Sequence, residues 1–257
     1  MSLSRYKYRL LIAYDGTSYH GWQIQPTGIS IQELIQKALF TILREEVKVI
    51  GAGRTDAGVH AKGQVAHFSC SHILDIPRFL RSVNGLIPRD IRVLRAEQVP
   101  LSFHAQHSAC RKTYFYHLHL DTVQDPFRRL YSLHIHNRLN LEMLQVAACC
   151  FVGTFDFTAF ANEGHKGSVT HNAIRTIYRV DVVQEPGGVR LEFEGEGFLY
   201  KMVRNIVGVL LEVASGKRPI EDIEKIFSSR DRRCAASAAP PHGLFLMHVD
   251  YENLSSH

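Results

Sequence analysis

An α+β fold is predicted for this chain of 257 residues by three observations. One order of elements, β-α-β-β-α-β, occurs twice in succession. The strand segments tend to alternate apolar and polar residues, and the helical segments place apolar residues at i, i+3 and i+4. A composition that is 45% hydrophobic supplies enough apolar surface for a sizeable core.

In the first half, residues 8–14 (YRLLIAY) read as a strand. A helix is predicted over 30–43, with Ser30 as N-cap and Glu33 at the capping-box position. Ile31, Leu34, Ile35, Ala38, Leu39 and Ile42 form its apolar stripe. Residues 47–50 and 64–68 read as strands, 75–83 as a helix with Pro77 in its first turn, and 91–96 as the closing strand.

The second half repeats the order. Residues 113–120 (TYFYHLHL) alternate as a strand, and 141–151 form an apolar helix after the N-cap Asn140. Residues 174–183 and 189–194 pair through the turn Pro186-Gly187-Gly188. A helix over 199–213 turns Met202, Val203, Ile206, Leu210 and Val213 to one side. A short helix over 220–227 follows Pro219, and 244–250 is the last strand. Two tandem ferredoxin-like halves are therefore expected, residues 1–104 and 105–257, with mainly antiparallel sheets joined around a central cleft.

One loop concentrates chemistry. Gly51-Ala52-Gly53-Arg54-Thr55-Asp56-Ala57-Gly58-Val59-His60-Ala61 lies between the two middle strands of the first half. It is too rich in glycine for a helix interior, and its glycines permit sharp bends and close approach of a ligand. Asp56 is thus presented from a sheet end, where catalytic groups tend to sit. The alternative is a surface turn in which Arg54 and Asp56 are merely solvated.

Charge and cysteine usage narrow the setting. Lys and Arg number 30 against 25 acids, for a net charge of +5, and the pI is near 9.0. That excess suits a polyanionic partner such as nucleic acid. Arg78, Arg81, Arg89, Arg92 and Arg95 fall close together, with Arg128, Arg129 and Arg138 further on. Five cysteines without CxxC spacing argue against a disulfide framework or a cysteine zinc site. The start of the chain has no apolar leader region, so a cytoplasmic location is expected. His117 with His119, and His134 with His136, would share a strand face. No third ligand at metal-site spacing accompanies them, and no metal is expected.

The residues resemble one family. Gly53-Arg54-Thr55-Asp56-Ala57-Gly58-Val59-His60-Ala61 is similar to the active-site signature of the tRNA pseudouridine synthase A family. Asp15-Gly16-Thr17 and Tyr19-His20-Gly21-Trp22-Gln23 resemble its opening. Gly63-Gln64-Val65-Ala66-His67-Phe68, Phe103-His104-Ala105 and Lys112-Thr113-Tyr114-Phe115-Tyr116 follow in the same order. So do Gly197-Phe198-Leu199-Tyr200-Lys201-Met202-Val203-Arg204-Asn205 and Ala239-Pro240-Pro241-His242-Gly243-Leu244, so the likeness spans nearly the whole chain.

The resemblance implies isomerisation of uridine to pseudouridine at positions 38, 39 and 40 in the anticodon arm of tRNA. It implies no cofactor, and a homodimer in which one tRNA reaches both subunits. Asp56 would be the nucleophile, Arg204 the cation that keeps it ionised, and Tyr114 the ring that stacks on the uracil and assists proton removal. Arg54 would help extract the nucleotide and take its place, with Gln64 and Leu246 as further substrate-binding residues. Elementary chemistry agrees: a carboxylate enclosed without a cation would be neutralised, and a guanidinium stays charged and can hold both oxygens. Structural alternatives are a snorkelling Arg204 and a core Tyr114.

One residue departs from the pattern. Gln106 follows Phe103-His104-Ala105 where the family usually carries arginine, which puts a local RNA contact in question and makes Arg111 or Lys112 the nearby substitutes. Two other functions fit the residues less well. A non-catalytic RNA-binding protein of two RRM-like halves leaves Arg-Thr-Asp on a glycine loop unexplained. A hydrolase using Asp56 would want a second carboxylate or a metal.

Overall fold

The computed structural model describes residues 5–162 and 172–252, and its elements begin with β1 (Tyr6–Tyr14). There follow α1 (Ile31–Leu43), β2 (Ile50–Gly51), β3 (His60–Cys70), α2 (Ile76–Leu86) and β4 (Ile91–Val99). Then come β5 (Ala109–His119), β6 (Leu133–His134), α3 (Leu141–Cys149), β7 (Gly153–Asp156), β8 (Ile174–Glu185) and β9 (Gly188–Gly195). The chain continues through α4 (Met202–Ala214), α5 (Asp222–Ser229) and β10 (Leu244–Tyr251). The fold is mixed α+β.

Two compact units emerge, residues 1–110 with 246–257 and residues 111–245. This differs from the expected division at 104/105, because the C-terminal residues return to the first unit. Gly63 explains the return locally: a Cβ there would lie 2.0 Å from the Met247 carbonyl oxygen, so only glycine lets that backbone lie against β3.

In the first unit β1 lies between β3 and β4, antiparallel to both, and β2 pairs with β3. Alternation along β1 buries Tyr8, Leu10, Ile12 and Tyr14 on one face. Tyr8 stacks on its partner Phe68 with centroids 5.7 Å apart. The caps form as the residue types demand: Ser30 Oγ accepts the Glu33 N–H (3.3 Å) and Asp75 Oδ1 the Arg78 N–H (3.1 Å). The opposite face buries Ala52, Val65, Val99, Phe103 and Ala105 under Leu11, Val249 and Tyr251.

His67 in β3 belongs to this second layer. Burial, with smaller repulsion from His104 and Lys7, depresses its imidazole to about 4, and its Nδ1 accepts the Ala105 N–H at 3.1 Å. An unfolded histidine titrates near 6.5, so below that pH the unfolded chain binds a proton that the fold refuses until near pH 4. Stability should therefore fall as pH drops through this window, by about 2 kcal/mol between pH 7 and pH 5 for this group. Thermal unfolding at the two pH values checks it. His67→Gln should lose about 2 kcal/mol less than wild type over that interval, and an equal loss would exclude His67 as the source.

In the second unit the strand order is β5-β9-β8-β7, with the short β6 parallel to β5. The β8–β9 hairpin turns at Gly187, whose φ of +74° suits glycine. Phe151, Phe157 and Phe160 fill the core, and half-buried Phe227 of α5 packs on them, with Phe160 and Phe227 centroids 4.8 Å apart.

Two expected bounds shift for local reasons. The helix expected from 199 begins at Met202, because Lys201 takes a left-handed conformation (φ 60°) that cannot continue backwards as helix. The strand expected over 47–50 shrinks to Ile50–Gly51, because Val49 gives its N–H to Gln36 Oε1 (3.0 Å) and its carbonyl accepts from Gln32 Nε2 (2.7 Å), both side chains of α1. His117 and His119 take different partners. His117 Nδ1 lies 3.0 Å from Glu185, whereas buried His119 places Nε2 3.0 Å from the Val123 carbonyl oxygen. Among the described residues no cluster of His, Cys, Asp or Glu has metal-site geometry, and no helix is long and apolar enough to cross a membrane.

Candidate active site

The glycine loop between β2 and β3 is held from several directions by the first unit. The Ala52 N–H donates to the Val65 carbonyl (2.7 Å), which closes its start. Trp22 N–H donates to the Thr55 carbonyl (3.1 Å), Gly58 N–H to the Tyr19 carbonyl (3.3 Å) and Val59 N–H to the Asp56 carbonyl (3.1 Å). Tyr14 and Thr55 share a hydroxyl hydrogen bond of 2.8 Å, and burial pushes the Tyr14 phenol up to about 12, so it stays protonated at ordinary pH. The Gly16 N–H donates to His60 Nδ1 (3.0 Å) where the loop enters β3.

Glycines make this clamp possible. Gly21 has φ +88°, and a Cβ there would lie 2.5 Å from the Thr55 oxygen and 3.0 Å from the Asp56 carbonyl carbon. Fully buried Trp22 lies against Gly51, whose missing Cβ would be 2.6 Å from the indole nitrogen. On this support Thr55 faces inward and buried, Asp56 is half-buried and Arg54 is exposed. The loop presents one carboxylate from a braced backbone with an exposed cation two residues away. Such an arrangement can position a covalent nucleophile.

Gln64 has a different place from a surface contact. It is fully buried, and its Nε2 donates to the Gly53 carbonyl (3.0 Å) and reaches the Tyr14 hydroxyl (3.4 Å). Its amide thus braces the loop that carries Asp56. Leu246 is also fully buried in the first unit.

The second unit carries Tyr114 and Arg204. Tyr114 and Tyr116 point to one face of β5, where Tyr114 meets the edge of Phe198 (5.2 Å) and Tyr116 donates to the Pro240 carbonyl (2.8 Å). Arg204, in the first turn of α4, donates from Nε to the Ala239 carbonyl (2.7 Å), and the Ala239 N–H returns a bond to the Arg204 carbonyl (2.9 Å). The Ala239-Pro240 connector therefore orients Tyr116 and Arg204. Gly208 lets it lie against α4, since a Cβ there would be 2.2 Å from the Ser237 oxygen.

A buried network steadies the same turn. Asn205 donates from Nδ2 to the Phe160 carbonyl (2.7 Å) and Asn162 Oδ1 (3.0 Å), while Arg232 Nη2 donates to Asn205 Oδ1 (2.7 Å). Nothing in the local sequence around Arg232 signals this role. The bracing by Gly16, Gly21 and Trp22 was visible only as motif residues without an assigned job, and Tyr14 only as the end of a strand. Gln106 is exposed, its N–H donating to His104 Nδ1 (3.2 Å), and Arg111 is engaged by Glu194 (2.8 Å).

Comparison with known proteins meets this arrangement from outside. The family model described as tRNA pseudouridine synthase matches residues 10–108 and 147–252. The "tRNA pseudouridine synthase A 1" of Protochlamydia amoebophila is 58% identical over 247 residues, 96% of each chain. The "tRNA pseudouridine synthase A" of an Exiguobacterium species is 42% identical over 96% of this chain and 98% of its own. That of Chlamydia trachomatis serovar L2b is 44% identical over 94% of this chain and 91% of its own. Matched from β1 to β10 and carrying the glycine loop with its single aspartate, this chain belongs to the tRNA pseudouridine synthase A family.

Proposed function

We propose that this protein isomerises uridine to pseudouridine at positions 38, 39 and 40 of the tRNA anticodon arm, with Asp56 as nucleophile and no cofactor. The observation that carries the reading is the clamped glycine loop, which fixes the backbone around one half-buried carboxylate beside exposed Arg54. Family membership supplies the substrate class.

In the reaction the Asp56 carboxylate bonds covalently to the nucleotide and the N1–C1′ bond breaks. The freed uracil turns and a C5–C1′ bond forms. The proton on C5 is lost, N1 gains one, and the carboxylate is released, so the product is an isomer of the substrate. Tyr114 serves as the ring facing the uracil and assists removal of the C5 proton. Arg204 contributes the permanent positive charge that keeps a carboxylate ionised in an enclosed site. Arg54 fills the stack when the nucleotide leaves it, a step that costs a few kcal/mol. Leu246 forms apolar wall, and Gln64 acts on the substrate through the loop it braces.

The same reading takes the fold as two ferredoxin-like repeats around a central cleft, for which the β4-β1-β3 order with β2 on β3 is the support in the first unit. It takes the working form as a cytoplasmic homodimer, a compartment that suits five unpaired cysteines. Incubation of the protein with unmodified tRNA, followed by mapping of pseudouridine along the strand, tests it. Product confined to positions 38–40 is expected; product only elsewhere, or none, would refute the assignment.

A further inference from the structure

The second unit carries a pair of cations that the reaction above does not use. Across its sheet Lys112 on β5 pairs with Gly195 on β9, and Gly195 with Ile177 on β8. Residues two apart on a strand share a face, so Arg175 lies on the face of Ile177, and Tyr114 on the face of Lys112. Gly195 puts no side chain between them. A Cβ there would stand 3.2 Å from the Phe198 ring, which itself meets Tyr114 edge-on. Two cations and two aromatic rings therefore share one face of the sheet, with Tyr114 among them.

The charges are placed against their own repulsion. Burial, and then the neighbouring Arg175 guanidinium, bring the Lys112 ammonium down to about 8. Arg175 is fixed in place, its Nη1 donating to the Asn172 (3.1 Å) and Ile174 (2.6 Å) carbonyls. Among the described residues no carboxylate forms an ion pair with it. Glu196, nearby, uses Oε1 to accept the Thr176 N–H (3.1 Å). Arg111 sits on the opposite face and is held by Glu194 (2.8 Å). Like charges gathered in this way lose their mutual penalty when an anion lies between them, and an arginine with a lysine suits a phosphate.

We infer that Lys112 and Arg175 together hold one backbone phosphate of the tRNA, next to the nucleotide that Tyr114 faces. The inference rests on tRNA being the substrate, and it assigns to β5 and β8 the phosphate contact that Gln106, without a charge, does not make.

The test measures binding of unmodified tRNA to the full-length protein between about 50 and 200 mM salt, where counterion release sets the slope. Wild type, Lys112→Met, Arg175→Met, the double variant and Lys112→Arg are compared, with thermal unfolding as a check on folding. Each Met variant should bind about tenfold more weakly, as expected for one charge-assisted contact. The double variant should lose less than the product of the two and lower the salt slope by about 1. Lys112→Arg should keep wild-type affinity and slope. A folded double variant with the wild-type slope overturns the phosphate site, even if its binding is weaker. If Lys112→Met does not fold, Arg175→Met alone decides on the same slope. Wild type that forms pseudouridine while the variants keep its slope refutes only this site; wild type that neither binds nor modifies tRNA refutes the substrate reading with it.

Discussion

Asp56→Asn forms pseudouridine at least about 10⁴-fold more slowly than wild type while binding tRNA as tightly, the size of loss typical when a covalent nucleophile is removed. The substitution keeps the shape of the side chain and removes its nucleophilic charge. The Trp22, Tyr19 and Val59 hydrogen bonds of the loop run through main-chain atoms, which the substitution leaves in place. The melting temperature should therefore move by only a few degrees, the shift about 1 kcal/mol produces in a protein of this size. Affinity should hold, because a negative charge is lost in front of a polyanion. Single-turnover pseudouridine formation with saturating enzyme reads the chemical step directly. A rate within about tenfold of wild type would remove Asp56 from the covalent chemistry.

Gly21→Ala is the second large effect, and it acts from outside the reacting groups. Alanine at φ +88° costs about 1–2 kcal/mol in backbone strain. Its methyl would also lie 2.5 Å from the Thr55 oxygen and 3.1 Å from the Ala57 nitrogen, so the loop must shift. A displacement on the order of 1 Å at a reacting group costs about 10²-fold in rate. The expected outcome is a folded protein with nearly unchanged tRNA affinity and kcat lowered by about that factor. Gly85→Ala is the control: no heavy atom lies within 4 Å of a Cβ at Gly85, in α2, so activity should be unchanged and stability equal or higher. Equal activity of the two variants would show that Gly21 does not set the loop position.

Much of this was legible in the sequence because the signals are local. Ser30 followed by Glu33 announces a helix start, and its side-chain bond to that amide forms. Pro186-Gly187 announces the β8–β9 turn, and Gly187 takes the positive φ. The aspartate loop stands out because three glycines cannot sit in a helix interior. What stayed hidden depends on partners far along the chain. The C-terminal residues join the first unit because Gly63 accepts the Met247 backbone, and neither residue marks the other. Lys201 ends the backward run of α4 by a backbone conformation that its residue type does not favour. The motif marks Gln64 as a candidate for substrate binding, but the donor role of its amide toward Gly53 appears only once the loop folds back over β3. Arg232 reaches Asn205 across 27 residues, which no spacing rule reports.

The central claim is that this chain makes a carbon–carbon glycosidic bond rather than only binding RNA. The most direct measurement is release of tritium from unmodified tRNA labelled at C5 of uracil, the atom that must lose its hydrogen when that bond forms. Wild type should release tritium in step with pseudouridine formed, and Asp56→Asn should release none while retaining the RNA. Wild type that binds the labelled tRNA and releases no tritium would contradict the account and leave a non-catalytic RNA-binding protein in its place.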